Sequence, residues 1–310
     1  MSKFRTVTDI DDLSTKTILL RADLDVAIEN GEVVENFRLQ KAVNTIKYLT
    51  EKKAKVVVLG HLGRPGGEYV DELSLLPVRF ELGKLLGVHI KFAHIPNSRN
   101  SIRYMEPGEV LMLENVRFHA EEESKDAKKR AGFMSELVEL CDVYINDAFS
   151  SYRPHASTYD VALQYATKNR IVGMQMATEI EKLTQLRDKY QHPYVAVIGG
   201  AKIDTKIDIL TKLVTEADFI LLGGAMAYTF MKSQGIDIGS SKVEDDKLKV
   251  ADKVMKAAKK SGCEILFPID HVAGGEFAES AGPVEVDTQN IPGGLFGMDI
   301  GGRTLAQYLE

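Results

Sequence analysis

Cationic side chains follow the apolar runs in the first half of the chain. Arginine binds carboxylate and phosphate groups through its planar guanidinium fork, and it stays charged in proteins. If the apolar runs are parallel strands, their carboxyl ends meet at one edge of a sheet, where ligands bind in such folds. The sequence therefore predicts that four arginines converge around a small substrate with more than one anionic group. These arginines are Arg38, Arg64, Arg117 and Arg153.

Other polar residues stand at the same predicted strand ends. Asp23 and Asp25 follow the apolar run "ILL", and His61 precedes Arg64 on the glycine turn "GHLGRPGG". Taken one at a time, such arginines are as often solvated, or placed at a helix C-terminus. Their recurrence at the ends of successive strands favours a binding site.

Glycine pairs follow two apolar runs in the second half. In "VAVIGGAKIDTK", Gly199-Gly200 precedes Lys202 and Lys206 near a predicted helix start, an arrangement that suits phosphate. In "LLGGAMA", Gly223 and Gly224 are suited to lie against a flat purine. Neither segment matches the P-loop pattern or the dinucleotide fingerprint. Tight turns and close helix–sheet packing explain both pairs equally well, so both interpretations stay open here.

The elements that carry these residues alternate between strand-length apolar runs and helix-length amphipathic stretches. Runs such as "KVVVLG" and "DFILLGG" are almost continuously apolar, which is typical of parallel strands buried on both faces. The sequence therefore predicts an α/β protein with two doubly wound, Rossmann-like domains and parallel sheets. Their predicted bounds are 1–173 and 191–310, joined by a helix over 174–190 that ends before His192-Pro193.

Composition limits the classes of function. The formal net charge of −6 argues against a nucleic-acid partner. No apolar run reaches the length of a membrane span, and the first residues lack the apolar core of a signal peptide. Cys141 and Cys263 form no CxxC motif. We therefore expect a cytoplasmic protein that acts neither on nucleic acid nor at a membrane.

Seven segments, taken in order, resemble phosphoglycerate kinase. They are "RADLDV", "NFR", "GHLGRPGG", "LENVRFHAEEE", "DVYINDAFSSYRPHAST", "VIGGAKIDTKIDIL" and "LLGGAMAYTF". The resemblance implies a glycolytic, hinge-bending kinase that is usually monomeric. It would transfer a phosphoryl group between ATP and the carboxylate of 3-phosphoglycerate. The first domain would hold 3-phosphoglycerate, the second Mg²⁺ with ATP or ADP, and domain closure would bring the substrates together.

The same resemblance implies roles for individual residues. The implied substrate contacts in the first domain are Asp23, Asp25, Arg38, His61, Leu62, Gly63, Arg64, Arg117 and Arg153. The implied nucleotide contacts in the second domain are Gly200, Lys202, Lys206, Gly223 and Gly224. Arg38 and Lys206 are the implied catalytic residues, because both would counter the charge that develops as the phosphoryl group moves.

The sequence departs from the family pattern in two ways. Asp25 stands where the family has asparagine, so an extra carboxylate would face an anionic ligand. The family's "NGPVG", "GGGD" and "STGGGA" segments do not occur in the 310 residues. The resemblance therefore assigns no metal ligand within them, and we expect the family's metal ligand to lie beyond Glu310.

The missing segments lead to further expectations for the second domain. We expect it to be incomplete and to expose an apolar sheet edge or helix face. We also expect the chain to self-associate or to need a C-terminal partner chain, and to lack turnover alone.

Alternatives to an active kinase stay open at this point. One is a non-catalytic, pseudokinase-like protein that binds phosphoglycerate or another anionic metabolite. Another is one half of a split enzyme. An NAD-dependent dehydrogenase is disfavoured, because neither half carries the glycine fingerprint with a following acidic residue.

Overall fold

A computed structural model describes residues 4–151, 153–188, 190–276, 278 and 282–310. The chain divides into two compact units, residues 1–188 and 189–310. Each unit contains a parallel sheet, which confirms the predicted α/β class. The helix predicted over 174–190 is observed over Met174–Asp188 and belongs to the first unit. Its hinge role and the predicted domain bounds stay predictions.

The first unit is built on one large sheet. Its strands are β1 (Thr17–Arg21), β4 (Lys55–Leu59), β5 (Lys91–Ala93), β6 (Val110–Leu113), β7 (Val143–Asn146) and β8 (Arg170–Val172). A hairpin of β2 (Ile28–Glu29) and β3 (Glu32–Val33) follows β1. In the described residues these six strands pair in parallel in the order β5-β6-β4-β1-β7-β8. The chain thus runs to one side of β1 and later to the other, which makes the carboxyl end of β1 the switch point where ligands bind in such sheets.

Both faces of this sheet are buried. Successive residues of a strand point to opposite faces, so in β1 Ile18 and Leu20 enter one core and Leu19 enters the other. The helices of the first unit are α1 (Phe37–Glu51), α2 (Leu76–Leu86), α3 (Ser98–Arg103), α4 (Ala127–Leu140), α5 (Val161–Gln164) and α6 (Met174–Asp188). Residues of α1 and α2 fill the first core, and residues of α3, α4 and α5 fill the second. This two-sided burial is why the strands read as continuously apolar.

The second unit contains two small sheets. Its elements are β9 (Val195–Ile198), α7 (Ile207–Leu213), β10 (Phe219–Leu222), α8 (Ala225–Ser233), α9 (Leu248–Ser261), β11 (Glu264–Leu266), β12 (His271–Gly274), β13 (Val284–Val286), β14 (Phe296–Ile300) and α10 (Gly302–Leu309). The parallel sheet has the order β11-β10-β9, and the antiparallel sheet β13-β12-β14 was not predicted. The predicted exposed apolar surface is observed on the edge strand β9, where Val195 and Val197 are 45% and 74% exposed.

Two site-bearing strands end earlier than the apolar runs that predict them. The run "KTILLRADLDV" predicts a strand to Val26, but β1 ends at Arg21. The run "EVLMLENV" continues past Leu113, where β6 ends. After β6 the side chains of Glu114 and Asn115 bond backbone groups of the neighbouring loop.

Truncating the central strand should destabilise the first unit strongly. Leu20 of β1 is fully buried, so Leu20→Ala should lower the free energy of unfolding by about 2–5 kcal/mol through lost burial and a residual cavity. Leu163→Ala removes the same atoms from a side chain that is 56% exposed and should change stability by about 0.5 kcal/mol or less. Denaturant unfolding monitored in the first unit measures both. Equal losses would show that the sheet is not the core of this unit.

Candidate anion site at the carboxyl edge of the first sheet

The turn after β4 ties three loops together at Gly63. Its backbone N–H donates to Asp25 Oδ1 at 2.8 Å, and its carbonyl accepts from Arg117 Nη1 at 2.8 Å. Gly63 has φ +60°, and a Cβ there would lie 2.7 Å from Leu73 Cδ2, so glycine is required. Asp25 and Arg117 are thus fixed on opposite sides of one residue.

Glu114 and Asn115 hold the same loop from the end of β6. The Asn115 amide donates to the carbonyl oxygens of Leu62 and Leu73 at 2.8 and 2.9 Å. Glu114 Oε1 accepts from the backbone N–H of Leu75 at 2.8 Å. Both side chains are buried, so these bonds give the loop a rigid backbone.

Arg38 stands in the first turn of α1 and faces the segment after β1. Its Nη1 lies 3.2 Å from Asp23 Oδ1, and Ser150 Oγ donates to Asp23 Oδ2 at 2.8 Å. Asp23 therefore joins α1 to the segment after β7. The side chain of Arg38 remains 45% exposed, so it is open to a ligand.

Arg117 and His155 share one carboxylate. Arg117 Nη2 lies 3.1 Å from Glu123 Oε1, and His155 Nε2 lies 3.5 Å from the same oxygen. Arg117 Nε and His155 Nδ1 are buried and have no hydrogen-bond partner among the described residues. Burial lowers the pKa of His155; the Glu123 carboxylate opposes that shift and the Arg117 charge adds to it. A buried guanidinium N–H without an acceptor is unusual unless a ligand accepts its hydrogen bond.

His61 lies among these cations. It is buried, and Arg21 Nη2 lies 2.8 Å from its Nδ1. Burial and the charges of Arg21, Arg117 and Arg38 lower the pKa of His61 to about 2. His61 is therefore neutral at physiological pH and interacts with the site as a hydrogen-bonding group.

The structure brings together most of the residues predicted for the first half. Contacts or charge interactions link Asp23, Asp25, Arg38, His61, Gly63 and Arg117. Arg153 is exposed, and its charge acts on His155. Arg64 is also exposed, and it directly follows Gly63. The roles of all these residues in substrate binding stay predictions.

Asp25 is held by a backbone N–H and lies near a histidine. Its Oδ1 accepts the Gly63 N–H, and its Oδ2 lies 3.7 Å from His61 Nε2. The carboxylate therefore organises the turn after β4.

The sequence assigned no role to several buried polar residues of this region. Arg21 and Glu122 are fully buried, and Ser157 lies between them. Glu123 and Ser150 contact Arg117 and Asp23 at the rim. The sequence signal for Arg21 is its place directly after the apolar run "ILL". A charged residue in that place is typical of a solvent-exposed group, so the sequence does not indicate that Arg21 is buried.

The second unit places its two glycine pairs against each other. Gly223 N donates to Ile198 O at 2.9 Å, and Met226 N donates to Gly200 O at 2.8 Å. Gly224 has φ +65°, and a Cβ there would lie 2.9 Å from Gly200 N, so the two backbones can touch only because residue 224 is glycine. The Lys206 side chain passes close to Gly200, where an added Cβ would lie 2.9 Å from Lys206 Cε. Lys202 stands three residues after Gly199, at the same loop.

The described residues contain neither a metal-binding cluster nor a membrane-spanning helix. No group of three or more His, Cys, Asp or Glu residues among them is arranged to hold a metal ion. The expectation that the family's metal ligand lies beyond Glu310 stays a prediction. No helix within the described ranges is both long enough and apolar enough to cross a membrane.

Comparison with known proteins identifies relatives over nearly the whole chain. The family model "Phosphoglycerate kinase" matches residues 7–310. A phosphoglycerate kinase of Anaeromyxobacter sp. (strain Fw109-5) is 40% identical over 309 residues, which is 97% of this chain and 76% of that protein. One from Clostridium tetani is 37% identical over 312 residues, covering 99% and 76%.

Solved structures of phosphoglycerate kinases also superpose on this chain. The enzyme from Coxiella burnetii gives a TM-score of 0.79 at 32% identity and covers 98% of this chain and 76% of its own. The enzyme from Pyrococcus horikoshii OT3 gives 0.82 at 28% identity, covering 98% and 77%. The chain therefore spans about three quarters of the length of these relatives.

Removing the charge of Glu123 should strengthen phosphate binding in the first unit. Glu123 pairs with Arg117 and competes with any anion for it, so Glu123→Gln should raise the affinity for inorganic phosphate about fivefold, or about 1 kcal/mol. Glu136→Gln is the matched control, because Glu136 pairs with Arg99 on α3. Phosphate titrations followed by NMR measure both. Weaker binding by Glu123→Gln would instead mean that Glu123 orients Arg117 for the anion.

Proposed function

Since the chain belongs to the phosphoglycerate kinase family, we propose that it binds 3-phosphoglycerate in its first unit and the phosphates of ATP or ADP in its second. The reaction would transfer a phosphoryl group between ATP and the carboxylate of 3-phosphoglycerate. The observation that carries this proposal is the set of cations at the carboxyl edge of the first sheet. Arg117 leaves a buried donor unpaired there, and Arg38 is half-exposed.

The residues of the first unit suit a ligand with two anionic groups. The charges of Arg38 and Arg117 both lower the pKa of His61, so both interact electrostatically with the same ring. Their present partners, Asp23 and Glu123, are carboxylates that a stronger anion would displace or share. Arg64 and Arg153 are exposed and long enough to close on a bound ligand. Leu62 and Gly63 supply the turn on which this loop is built.

Arg38 is proposed to act on the phosphoryl group that is transferred. Its guanidinium is positioned by Asp23, which is fixed in turn by Ser150. A cation held in place before the reaction stabilises negative charge as it develops, without the cost of reorganising water. His61 would donate a hydrogen bond as a neutral ring, since its pKa is lowered to about 2.

The glycine loops of the second unit fit a nucleotide. Gly200 and Gly224 leave a backbone surface that any Cβ would fill, and Lys206 stands against it. Lys202 and Lys206 would neutralise the phosphates, with Lys206 countering charge on the transferred group, and Gly223 and Gly224 would face the adenine side. Mg²⁺ would lower the charge of the bound nucleotide.

A coupled assay tests the reaction on this chain. Purified protein, 3-phosphoglycerate, ATP and Mg²⁺ are linked to oxidation of a reduced nicotinamide cofactor by a dehydrogenase that consumes the acyl phosphate. Substrate-dependent turnover supports the kinase. Binding of 3-phosphoglycerate by calorimetry without turnover would fit a non-catalytic binding protein or one half of a split enzyme. Absence of both would contradict the proposed function.

Asp25 should weaken substrate binding by its charge while supporting the turn by its hydrogen bond. Asp25→Asn keeps an oxygen acceptor for the Gly63 N–H and removes the negative charge, so it should tighten 3-phosphoglycerate binding. Asp25→Ala removes the acceptor and leaves the Gly63 N–H unpaired, so it should loosen binding by about 1–3 kcal/mol. Calorimetry on both variants measures the difference. Loosening by Asp25→Asn would show that the carboxylate charge itself orients a cation.

Nucleotide binding should depend on the contact between the two glycine loops. Gly224→Ala would force a Cβ against Gly200 N and separate the loops, so ADP binding should weaken at least about tenfold. Gly235→Ala is the control, because Gly235 also has positive φ, +80°, but a Cβ there meets nothing within 4 Å. Fluorescence titration with ADP compares them. Equal effects would mean that backbone strain in the second unit, and no specific cradle, controls nucleotide affinity.

A further inference from the structure

Arg21 is a buried cation at the carboxyl end of β1. Its side chain is fully excluded from solvent, yet all three of its nitrogens are bonded. Nε donates to Ser157 Oγ at 2.9 Å, Nη1 donates to Ala22 O at 2.6 Å, and Nη2 lies 2.8 Å from His61 Nδ1. Burying an arginine is costly unless its charge and donors are matched, so this arrangement requires a structural or functional reason.

The contact with Arg21 fixes the tautomer of His61. A guanidinium only donates hydrogen bonds and stays protonated in proteins. Nδ1 of His61 must therefore accept, and in the neutral ring the proton lies on Nε2. Nε2 lies 3.7 Å from Asp25 Oδ2, which is longer than a hydrogen bond, so this N–H is available to a ligand.

Glu122 and Ser157 hold Arg21 in place. The Ser157 hydroxyl donates to Glu122 Oε1 at 2.6 Å, which leaves its lone pairs to accept from Arg21 Nε. Glu122 Oε2 accepts the Ser157 backbone N–H at 2.9 Å. Burial raises the pKa of Glu122, and the Arg21 charge and the Ser157 hydrogen bonds oppose that shift. A continuous buried chain of hydrogen bonds thus runs from Glu122 to His61.

Charged or titratable groups from the neighbouring segments interact with His61. They are Arg21 at the end of β1, Asp25 after β1, Arg38 of α1, Arg117 after β6 and His155 after β7. Without a fixed acceptor role for Nδ1, a ring beside Asp25 and a bound anion would be open to protonation. Arg21 removes that option, because protonation of Nδ1 would place two donors against each other.

We propose that Arg21 is a positioning residue that fixes His61 as a neutral Nε2–H donor toward the anionic substrate. This inference rests on the proposed function for the identity of the anion. It makes His61 a directional hydrogen-bond donor and leaves the attraction of charge to the arginines. Because His61 then stays neutral, its ionisation should not change the affinity for the substrate over the pH range in which a free histidine titrates.

The first test needs no substrate. Protein labelled with ¹⁵N-histidine is observed by NMR from about pH 5 to pH 8, and the His61 ring is assigned by its loss in His61→Gln. The expected result is a bonded proton on Nε2, an unprotonated Nδ1 and no titration of the ring. A proton on Nδ1, or a ring that becomes doubly protonated in this range, would overturn the proposal whether or not 3-phosphoglycerate binds.

The second test uses two variants of Arg21. Arg21→Met removes the donor to Nδ1, so His61 should begin to titrate, whereas Arg21→Gln can still donate from its amide and should keep the neutral tautomer. At about pH 8, Arg21→Met should bind 3-phosphoglycerate about tenfold more weakly than the unmodified protein. Toward about pH 5.5 that ratio should shrink, because a protonated His61 attracts the anion.

The ratio to the unmodified protein at each pH cancels the ionisation of the phosphate itself. A loss for Arg21→Met that is the same at every pH would mean a structural role only and would contradict the proposal. If the unmodified protein fails to bind 3-phosphoglycerate at all, the proposed function fails. The NMR measurement then still decides whether Arg21 sets the tautomer. It decides the same question if Arg21→Met does not fold.

Discussion

Burial of the first sheet on both faces is the constraint on which the site depends. Ile18, Leu19 and Leu20 are all fully buried, because cores lie on both sides of β1. A strand in this setting has no room for a solvated charge along its length. Polar side chains must therefore come at the strand ends, and parallel strands bring those ends to one edge. The cluster of charged residues is a consequence of the core that supports it.

Charge balance at that edge is local and graded by depth. Farthest from the surface, the charge of Arg21 is balanced by that of Glu122, and Ser157 connects the two side chains by hydrogen bonds. Both charged side chains are fully buried. Nearer the surface, Arg117 is matched by Glu123, and Arg38 by Asp23, and these pairs are partly exposed. An exposed ion pair contributes little to stability, whereas a buried one is costly to break. Under the proposed function, a substrate anion would displace the outer carboxylates, whereas Arg21 and Glu122 belong to the buried scaffold.

The sequence predicted that charged residues gather at the carboxyl edge of the first sheet, but it did not predict how the buried residues below that edge are paired. Strand-length apolar runs followed by His61, Arg64 or Arg117 predicted both the parallel sheet and the group of cations, since each follows from local order along the chain. Which oxygen neutralises which cation depends on residues distant in sequence, such as Ser157 beside Arg21. The antiparallel sheet of the second unit was missed because β12 and β13 are short and are bounded by glycine-rich segments that indicate only turns.

Under the proposed function, the two units would bind anions by different means. In the first, the side-chain cations are paired with carboxylates, so anion binding would depend on residue types that are visible in the sequence. In the second, the backbones of Gly200 and Gly224 are in contact. The only charged residues among the predicted nucleotide contacts there are Lys202 and Lys206. Backbone donors act without a distinctive side chain, which is why the glycine pairs alone could not be told from ordinary tight turns. In the structure a Cβ at Gly224 would lie 2.9 Å from Gly200 N, so the two loops pack closely at this point whether or not a nucleotide binds there. Close packing alone therefore does not separate the two interpretations, which is why the proposed role depends on the affinity for ADP.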